Sequence, residues 1–184
     1  MKGLSGVYIP AEDTFFLEDV VKDYFGNSVL EIGVGSGYLT TRLMKNYKFV
    51  VGTDLSLKAI KDVKSRIRSY DFNDKVDLIC CNGATVFQEN VFNLAVFNPP
   101  YLPSEGFIDT AVDGGEGGIK IVGEWLNQTS KIIIEGGVII FIISSLSDYR
   151  RLFKEIKPKL NVELVRRKKL FFEELMVLKA YKSG

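Results

Sequence analysis

Four residues near the middle of the chain, Asn98-Pro-Pro-Tyr101, have the types and the order needed to hold a planar amino group. Pro99 and Pro100 remove two backbone N–H donors and keep the turn extended and rigid. The side-chain oxygen of Asn98 and the carbonyl of Pro99 can then accept hydrogen bonds from one NH2 group, beside the aromatic wall of Tyr101. Such acceptors stabilise the positive charge that grows on an amide or aromatic amine nitrogen as it becomes tetrahedral. The motif indicates group transfer to nitrogen, and a plain strand-ending turn is the alternative.

Three glycines at alternate positions, Gly33, Gly35 and Gly37, follow a short apolar run that begins at Val29. A buried strand that passes through glycines into a helix lets the backbone approach a ligand, and the helix N-terminus adds free N–H groups. The spacing differs from the dinucleotide-binding fingerprint, which requires glycine or alanine where this chain has Tyr38. We therefore interpret the stretch as a nucleotide-cofactor site of another kind, with a tight turn in some other α/β domain as the alternative.

Polar residues also follow the next two predicted strands. Asp54 closes the second strand, at the position where a carboxylate accepts two hydrogen bonds from a ribose diol in nucleotide-binding folds. Its alternative role is to cap the helix that starts near Ser56. Asn82 and Gly83 follow the third strand, and the amide oxygen of Asn82 can accept from an adenine amino group, more weakly than a carboxylate would.

The elements that must position these residues alternate between strands and helices along the chain. Helices are predicted over residues 12–25, 38–45, 58–70 and 148–157 and after Gly118, and strands over 29–32, 49–54, 76–80, 94–97, 138–144, 162–166 and 175–180. This alternation predicts an α/β fold, a parallel sheet with helices on both faces, in a single domain over residues 1–184. The last two strands have no helix between them, so one of them is expected to be antiparallel.

Local signals add detail to these elements. Gly136-Gly137 predicts a turn into the strand that follows, and Ser147 is expected to cap the last helix. The long irregular segment 98–118 is typical of a functional loop. On the helix after this loop, the residues expected to be buried are Val122, Trp125, Leu126 and Thr129.

Composition limits the chemistry of the chain. It contains no histidine, and Cys80 and Cys81 are adjacent without the spacing of a zinc site, so no metal is expected. In-line transfer to a delocalised nitrogen needs alignment more than a base, so the lack of histidine is no obstacle. The formal net charge of +1 argues against a strongly basic nucleic-acid surface. A secretory signal pattern is absent and the apolar run 138–143 is too short to span a membrane, which predicts a cytoplasmic protein without membrane contact.

Together with Glu31 at the strand end, these motifs resemble those of the amino-methyltransferases of the Rossmann-like class. The stretch Val7-Tyr8-Ile9-Pro10-Ala11-Glu12-Asp13-Thr14 narrows the resemblance to the HemK-like protein glutamine methyltransferases, and best to their short eukaryotic and archaeal branch without an N-terminal substrate domain. The resemblance covers nearly the whole chain. It implies a Rossmann-like methyltransferase fold, with a mostly parallel seven-stranded sheet, one antiparallel strand and helices on both faces.

The same resemblance implies an activity and a set of site residues. The methyl donor would be S-adenosyl-L-methionine, and the acceptor would be the glutamine of the Gly-Gly-Gln loop in a class I peptide release factor, which acts in translation termination. The residues that would line the cofactor are Thr14, Glu31, Gly33, Gly35, Gly37, Asp54, Asn82, Gly83 and Asn98. The residues that would hold the target amide are Asn98, Pro99, Pro100 and Tyr101.

Two positions depart from the pattern of this family. Ile9 stands where the family commonly has glutamate, and Asn82-Gly83 replaces an acid followed by an apolar residue. Both departures concern the adenine end of the cofactor and leave the transfer chemistry intact. The loop 113–118, Asp-Gly-Gly-Glu-Gly-Gly, resembles the substrate-side loop of the family, with a flexible connection as the alternative.

Alternative functions are open on the sequence alone. An adenine amino-methyltransferase acting on DNA or RNA would use the same Asn-Pro-Pro-Tyr motif, but it needs a platform for the base. The basic clusters 154–159 and 166–169 are more often solvated faces than such a platform. Methylation of lysine in other proteins is a further alternative within the family branch. A non-catalytic module that keeps only the fold is disfavoured by the intact Asn98 and Asp54.

The strand 76–80 is expected at the open edge of the sheet in the fold that the chain resembles. It carries one charged residue, Asp77, and apolar residues on both faces, whereas exposed edges usually carry guards against strand addition. The family branch implies a small zinc-ribbon activator protein as partner, so we expect a heterodimer in which the activator lays a strand along this edge. The alternative is that the segment 70–75 covers the strand.

Overall fold

The computed structural model describes residues 9–70, 73–102 and 114–182. The helices are α1 (Glu12–Val21), α2 (Tyr38–Leu43), α3 (Leu57–Ile67), α4 (Lys120–Ile132) and α5 (Tyr149–Ile156). The strands are β1 (Gly26–Ile32), β2 (Tyr47–Asp54), β3 (Val76–Cys80), β4 (Phe92–Phe97), β5 (Ile133–Ser144), β6 (Leu160–Lys169) and β7 (Glu174–Lys182). The predicted order of strands and helices is therefore confirmed.

The strands form one sheet in the order β3-β2-β1-β4-β5-β7-β6. Neighbouring strands from β3 to β5 run parallel, and β7 pairs antiparallel with both β5 and β6. The expected mostly parallel seven-stranded sheet with one antiparallel strand is confirmed. The strand order reverses between β1 and β4, and in open α/β sheets ligands bind beyond the carboxyl ends of the strands at such a point.

Helices cover both faces of the sheet, as predicted. On one face, α4 and α5 pack through Trp125 and Leu152 on the central strands. On the other face, α1 and α3 pack through Leu17 and Val63. Residues 29–32 of β1 are all buried, as expected for a strand that is covered on both sides. The buried residues of α4 include the four predicted ones: Val122, Trp125, Leu126 and Thr129.

The predicted turn at Gly136-Gly137 is wrong, because both glycines lie within β5. The register between β4 and β5 shifts there, from the pair Phe92 and Ile133 to the pair Leu94 and Val138, so that β5 bulges. A Cβ atom at Gly137 would lie 2.5 Å from Cγ2 of Ile133, which explains the need for glycine. Glycine pairs mark both turns and bulges, and only the pairing with β4 distinguishes them.

The helices α1, α2 and α3 also end two to four residues earlier than predicted, and α5 ends one residue earlier. For α1 the cause is a tight turn, in which the N–H of Tyr24 donates to the carbonyl of Val21 at 3.1 Å. The cap of α5 is Asp148 rather than Ser147, since Asp148 Oδ1 accepts from the N–H of Arg151 at 3.2 Å. Ser147 is buried instead, and its hydroxyl donates to the carbonyl of Tyr101 at 2.6 Å.

Some predicted features lie outside the described residues. These are residues 7 and 8 of the N-terminal stretch, residues 103–113 of the long loop, and residues 71 and 72 of the segment that was considered as the alternative cover of the edge strand. Within the described ranges, no helix is both long and apolar enough to cross a membrane.

Candidate functional site

A cavity of about 850 Å³ opens at the carboxyl ends of the central strands. It brings together the glycine turn after β1, Asp54 at the end of β2, Asn82 and Gly83 after β3, and the motif 98–101 after β4. All of the predicted site residues line this cavity except Gly37. Its size and its place at the reversal of strand order are those of a small-molecule site.

The glycine turn requires glycine for two different reasons. Gly33, Gly35 and Gly37 have positive φ angles of 76°, 50° and 75°. The N–H of Gly33 donates to the carbonyl of Thr53 at 2.8 Å, which fixes the turn to β2. A Cβ atom at Gly37 would lie 2.7 Å from Cγ1 of Val63, so glycine at this position lets α2 pack on α3. Gly33 and Gly35 present their backbone to the cavity.

Asp54 links the glycine turn to α3. Its Oδ2 accepts from the N–H of Gly35 at 3.0 Å, and its Oδ1 accepts from the N–H of Ser56 at 2.8 Å. Ser56 caps α3, since its hydroxyl accepts from the N–H of Ala59 at 3.2 Å. The capping role considered for Asp54 is therefore performed by Ser56. Each carboxylate oxygen can accept a further hydrogen bond, so Asp54, which lines the cavity, is still able to accept from a diol.

Glu31 is an acid buried at the base of the cavity, with only 3% of its surface exposed. Burial raises the pKa of Glu31 to about 8, while the hydrogen bond from Thr40 opposes this rise and the charge of Asp54 adds to it. The Thr40 hydroxyl donates to Glu31 Oε2 at 2.5 Å. Without a ligand, Glu31 is therefore mostly protonated at neutral pH, and a cation bound nearby would favour its ionised form.

The side chain of Asn98 is held in one orientation by α1. Its Nδ2 donates to Asp13 Oδ2 at 3.0 Å and to the Thr14 hydroxyl at 3.4 Å. The Tyr101 hydroxyl donates to the same Asp13 oxygen at 3.0 Å. The contacts with Asp13 and Thr14 engage the amino group of the Asn98 side chain, so its oxygen is the atom that can accept a hydrogen bond from a ligand.

Asp13 is a site residue that the sequence analysis missed. It is buried, it accepts from its neighbour Thr14 N–H at 2.6 Å, and it joins Asn98 to Tyr101. Acids are common in the first turn of a helix, so Asp13 at the start of α1 carries no local sign of a role in the site. Its partners lie more than 80 positions further along the chain, so no local pattern could reveal them.

The helix α4 forms a wall of the cavity that the motifs did not reveal. Trp125 lines the cavity, and a Cβ atom at Gly33 would lie 3.3 Å from its ring. On the next turn, Gln128 Oε1 accepts from the N–H of Ala84 at 2.6 Å. A side chain at position 83 would collide with that oxygen, so Gly83, a departure from the family pattern, makes room for Gln128.

Acidic side chains dominate the charge of the cavity. Besides Glu31, which is mostly neutral without a ligand, the acids that line it are Glu12, Asp13, Asp54, Glu124 and Glu173, and no lysine or arginine lines it within the described ranges. A cleft lined by one sign of charge attracts the opposite sign, so this one favours a cation over a phosphate-bearing ligand. The part of the chain that the structure describes contains no group of three or more cysteine, aspartate or glutamate residues that could hold a metal ion.

Comparisons of sequence agree with this geometry. A family model described as the methyltransferase small domain matches residues 10–172. A candidate protein N5-glutamine methyltransferase from Methanocaldococcus jannaschii is 34% identical over 187 aligned positions, which cover 96% of this chain and 92% of that protein. The eRF1 methyltransferase catalytic subunit mtq2 from Schizosaccharomyces pombe is 25% identical over 214 positions, which cover 100% of this chain and 93% of that protein.

Among solved structures, the chain is similar to one in the E. cuniculi Mtq2–Trm112 complex, which is described as responsible for methylation of the translation termination factor eRF1. The TM-score is 0.79 with 20% identity, and the match covers 97% of this chain and 99% of that chain. At this identity the likeness establishes a shared fold, including the sheet that positions the cavity.

Proposed function

The chain belongs to the methyltransferase small domain family, and we propose that it is an S-adenosyl-L-methionine-dependent N-methyltransferase that modifies glutamine in a protein. Its substrate is the glutamine of the Gly-Gly-Gln loop in a class I peptide release factor. Relatives named for glutamine methylation and for eRF1 methylation match nearly the whole chain, which supports this substrate. The observation that carries the proposal is the orientation of Asn98, whose amino group is held by Asp13 so that its oxygen can accept from a planar NH2 group.

The cavity fits S-adenosyl-L-methionine, which carries positive charge on its sulfonium and amino groups and has no phosphate. An acidic lining without lysine or arginine among the described residues suits that charge. When bound, the cofactor supplies an activated methyl group. In this proposal Asp54 accepts from the ribose hydroxyls and Asn82 accepts from the adenine amino group, and the backbone at Gly33 and Gly35 and the Thr14 side chain form more of the cofactor site; all five residues line the cavity.

The motif 98–101 holds the acceptor nitrogen. Asn98 Oδ1 and the carbonyl of Pro99 accept the two N–H groups of the target amide, and Tyr101 forms its aromatic wall. Asp13 fixes the side chains of Asn98 and Tyr101, and Ser147 fixes the motif's backbone through the Tyr101 carbonyl. Transfer would break the bond between the methyl group and the sulfonium sulfur as the nitrogen forms its bond to that methyl group. The nitrogen becomes tetrahedral and positively charged, the two aimed acceptors stabilise that charge, and loss of one N–H proton to solvent leaves the neutral methylated amide.

The substrate is tested by offering labelled S-adenosyl-L-methionine with a release factor of the archaeal and eukaryotic type, with DNA and with RNA, in parallel reactions. We expect one methyl group on the release factor, mapped by mass spectrometry to the side-chain nitrogen of the Gly-Gly-Gln glutamine. Transfer to adenine in nucleic acid, or to lysine in the protein, would refute the proposed substrate and favour the corresponding alternative.

Replacement of Asp54 by alanine is expected to weaken cofactor binding by roughly 1.5–3 kcal/mol, because a charged acceptor for the ribose diol is lost. Isothermal titration with the purified protein measures this effect. Asp62→Ala is a matched control, since Asp62 lies on the exposed surface of α3 and pairs with Lys58 at 2.6 Å. Unchanged affinity in Asp54→Ala would mean that Asp54 serves only to hold Gly35 and Ser56.

We propose that the exposed edge of β3 binds a small activator protein. Among the strands that the structure describes, β3 is an edge strand that pairs only with β2. Its residues Val76, Leu78 and Ile79 are half-buried, while Asp77 and Cys80 are exposed. An edge strand with apolar residues on both faces invites strand addition by another chain. The similar E. cuniculi chain comes from a complex with Trm112, which supports a small protein partner for this chain.

Replacement of Ile79 by aspartate is expected to abolish co-purification of the activator while leaving the fold intact. A charge on this edge opposes burial of the strand under a partner. Leu164→Asp on β6 is the matched control, because β6 is the opposite edge of the same sheet and Leu164 is 43% exposed. A chain that is active and monomeric without any partner, or an activator that binds Ile79→Asp normally, would contradict the proposal.

We further propose that residues 1–184 act as one catalytic domain in the cytoplasm. The continuous sheet and the hydrophobic clusters on its two faces, which extend through the described ranges, support a single domain. The proposed substrate, a class I release factor that acts in translation termination, supports the cytoplasmic location.

A further inference from the structure

The hairpin between β6 and β7 ends in an unusual turn. The N–H of Leu170 donates to the carbonyl of Glu173 at 2.8 Å, and the flanking residues Lys169 and Glu174 pair in the sheet. The two central positions of this tight loop are therefore occupied by Phe171 and Phe172. Two-residue hairpin loops favour glycine, asparagine and aspartate, so local turn formation does not explain two phenylalanines.

Phe171 and Phe172 are 100% and 94% exposed, more than any other large apolar side chain among the described residues. Two adjacent, fully solvated aromatic rings lose the benefit that burial would give them. A contiguous exposed apolar feature of this kind marks a contact with another molecule. Aromatic side chains are also enriched among the residues that dominate binding at protein interfaces.

The base of this hairpin is tied firmly to the end of β5. The Ser144 hydroxyl donates a hydrogen bond to the Glu173 carboxylate. Ser145 and Glu174 exchange two more: the N–H of Ser145 donates to the carbonyl of Glu174 at 2.8 Å, and the N–H of Glu174 donates to the Ser145 hydroxyl at 2.9 Å. The two phenylalanines are therefore presented from a fixed position. Because the backbone at the base of the hairpin is already held, a partner that covers the two rings has less backbone to order on binding.

The hairpin tip is continuous with the cavity that contains Asn98. Leu170 and Glu173, the residues that flank the two phenylalanines, both line that cavity. A macromolecule whose side chain enters the cavity would therefore lie next to the tip. The basic residues of the hairpin are partly neutralised within the protein, since Lys168 lies 2.7 Å from Glu12 and Arg167 lies 3.9 Å from Glu174. This surface suits an apolar patch on a protein better than the phosphates of a nucleic acid.

We propose that Phe171 and Phe172 form a docking anchor that binds an apolar patch of the protein substrate beside its target glutamine. This inference rests on the proposed function, because it assigns the anchor to the release factor that enters the same cavity. The cavity recognises the glutamine side chain, and the anchor recognises the folded surface around it. The anchor thus selects an intact protein over an arbitrary glutamine-containing segment.

The test measures initial rates of methylation against release factor concentration for the double variant Phe171→Ser/Phe172→Ser. We expect KM for the intact factor to rise about tenfold or more, with kcat within about two-fold of wild type and unchanged cofactor affinity. The matched control is Phe25→Ser/Phe49→Ser, since these rings are 71% and 63% exposed near the amino ends of β1 and β2, away from the cavity. The control should keep the wild-type KM.

Each outcome separates the docking anchor from the substrate itself. A wild-type enzyme that leaves the release factor unmodified refutes the proposed function, and the anchor proposal with it. An active wild type whose KM is unchanged in the tip variant refutes the anchor alone. A tip variant that changes from dimer to monomer in sedimentation experiments, with KM unchanged, would assign the phenylalanines to contacts between copies of this chain. A selective loss of RNA binding by the tip variant would assign them to nucleic acid, and would also overturn the proposal.

Discussion

Replacement of Asn98 by alanine is expected to lower kcat for glutamine methylation by about 10²–10³-fold. The Asn98 oxygen is one of two acceptors aimed at the target amide, and its loss leaves the developing charge on nitrogen without that partner. The contacts that orient Asn98 come from Asp13 and Thr14, which also remain in the variant. The loss of kcat should therefore come from weaker stabilisation of the reacting nitrogen, and the shape of the cavity should be kept.

The measurement combines single-turnover kinetics with titration of S-adenosyl-L-methionine. We expect cofactor affinity within about two-fold of wild type, since most of the lining of the cavity lies outside the 98–101 motif. Asn127→Ala serves as the control, because Asn127 is exposed on α4 and accepts from Lys159 at 2.7 Å. If Asn98→Ala turns over at nearly the wild-type rate, the motif does not hold the acceptor nitrogen.

The order of the elements could be predicted because buried strands and amphipathic helices leave different periodic patterns. The run 29–32 is apolar with one exception, Glu31, and that exception belongs to the cavity. Boundaries were less predictable, because they depend on contacts between distant segments. Gly136 and Gly137 carry the same local signal in a turn and in a bulge, and pairing with β4 decides between them.

The residues of the site also fall into a group that the sequence could predict and a group that it could not. Residues whose type suits a ligand, such as Asp54 and Asn98, could be found from their position after predicted strands. The residues that position these groups could not be found in this way. Asp13, for example, accepts hydrogen bonds from Asn98 and Tyr101, which lie more than 80 positions further along the chain. Gly83 is a further case, because the neighbour that requires a glycine there is Gln128 on a separate helix.

Glu31 is expected to make the stability of the cofactor-free protein fall as pH rises. Its pKa is about 8 in the folded protein because it is buried, against 4.5 for the free side chain. Below the lower value, Glu31 is neutral in both the folded and the unfolded state, and its contribution to stability is fully present. Between the two values the unfolded state loses its proton and the folded state keeps it, so the free energy of unfolding declines, by an amount on the order of 3–5 kcal/mol.

Replacement of Glu31 by glutamine should remove this decline, because glutamine imitates the protonated acid and can still accept from Thr40. We expect the variant to exceed wild type in unfolding free energy at about pH 8 and to match it at about pH 4, as measured by urea denaturation without cofactor. The same variant should bind S-adenosyl-L-methionine more weakly, because the glutamine cannot ionise beside the bound cation. Calorimetric titrations in buffers of different ionisation enthalpy measure the protons released on binding. We expect the wild type to release a proton and the variant to release none. Glu155→Gln is the control, since Glu155 lies on the exposed face of α5 and pairs with Arg151 at 2.8 Å. If the stability of the wild type relative to Glu31→Gln does not change over this pH range, Glu31 ionises in the folded protein as it does in the unfolded one, and the expected pKa rise is refuted.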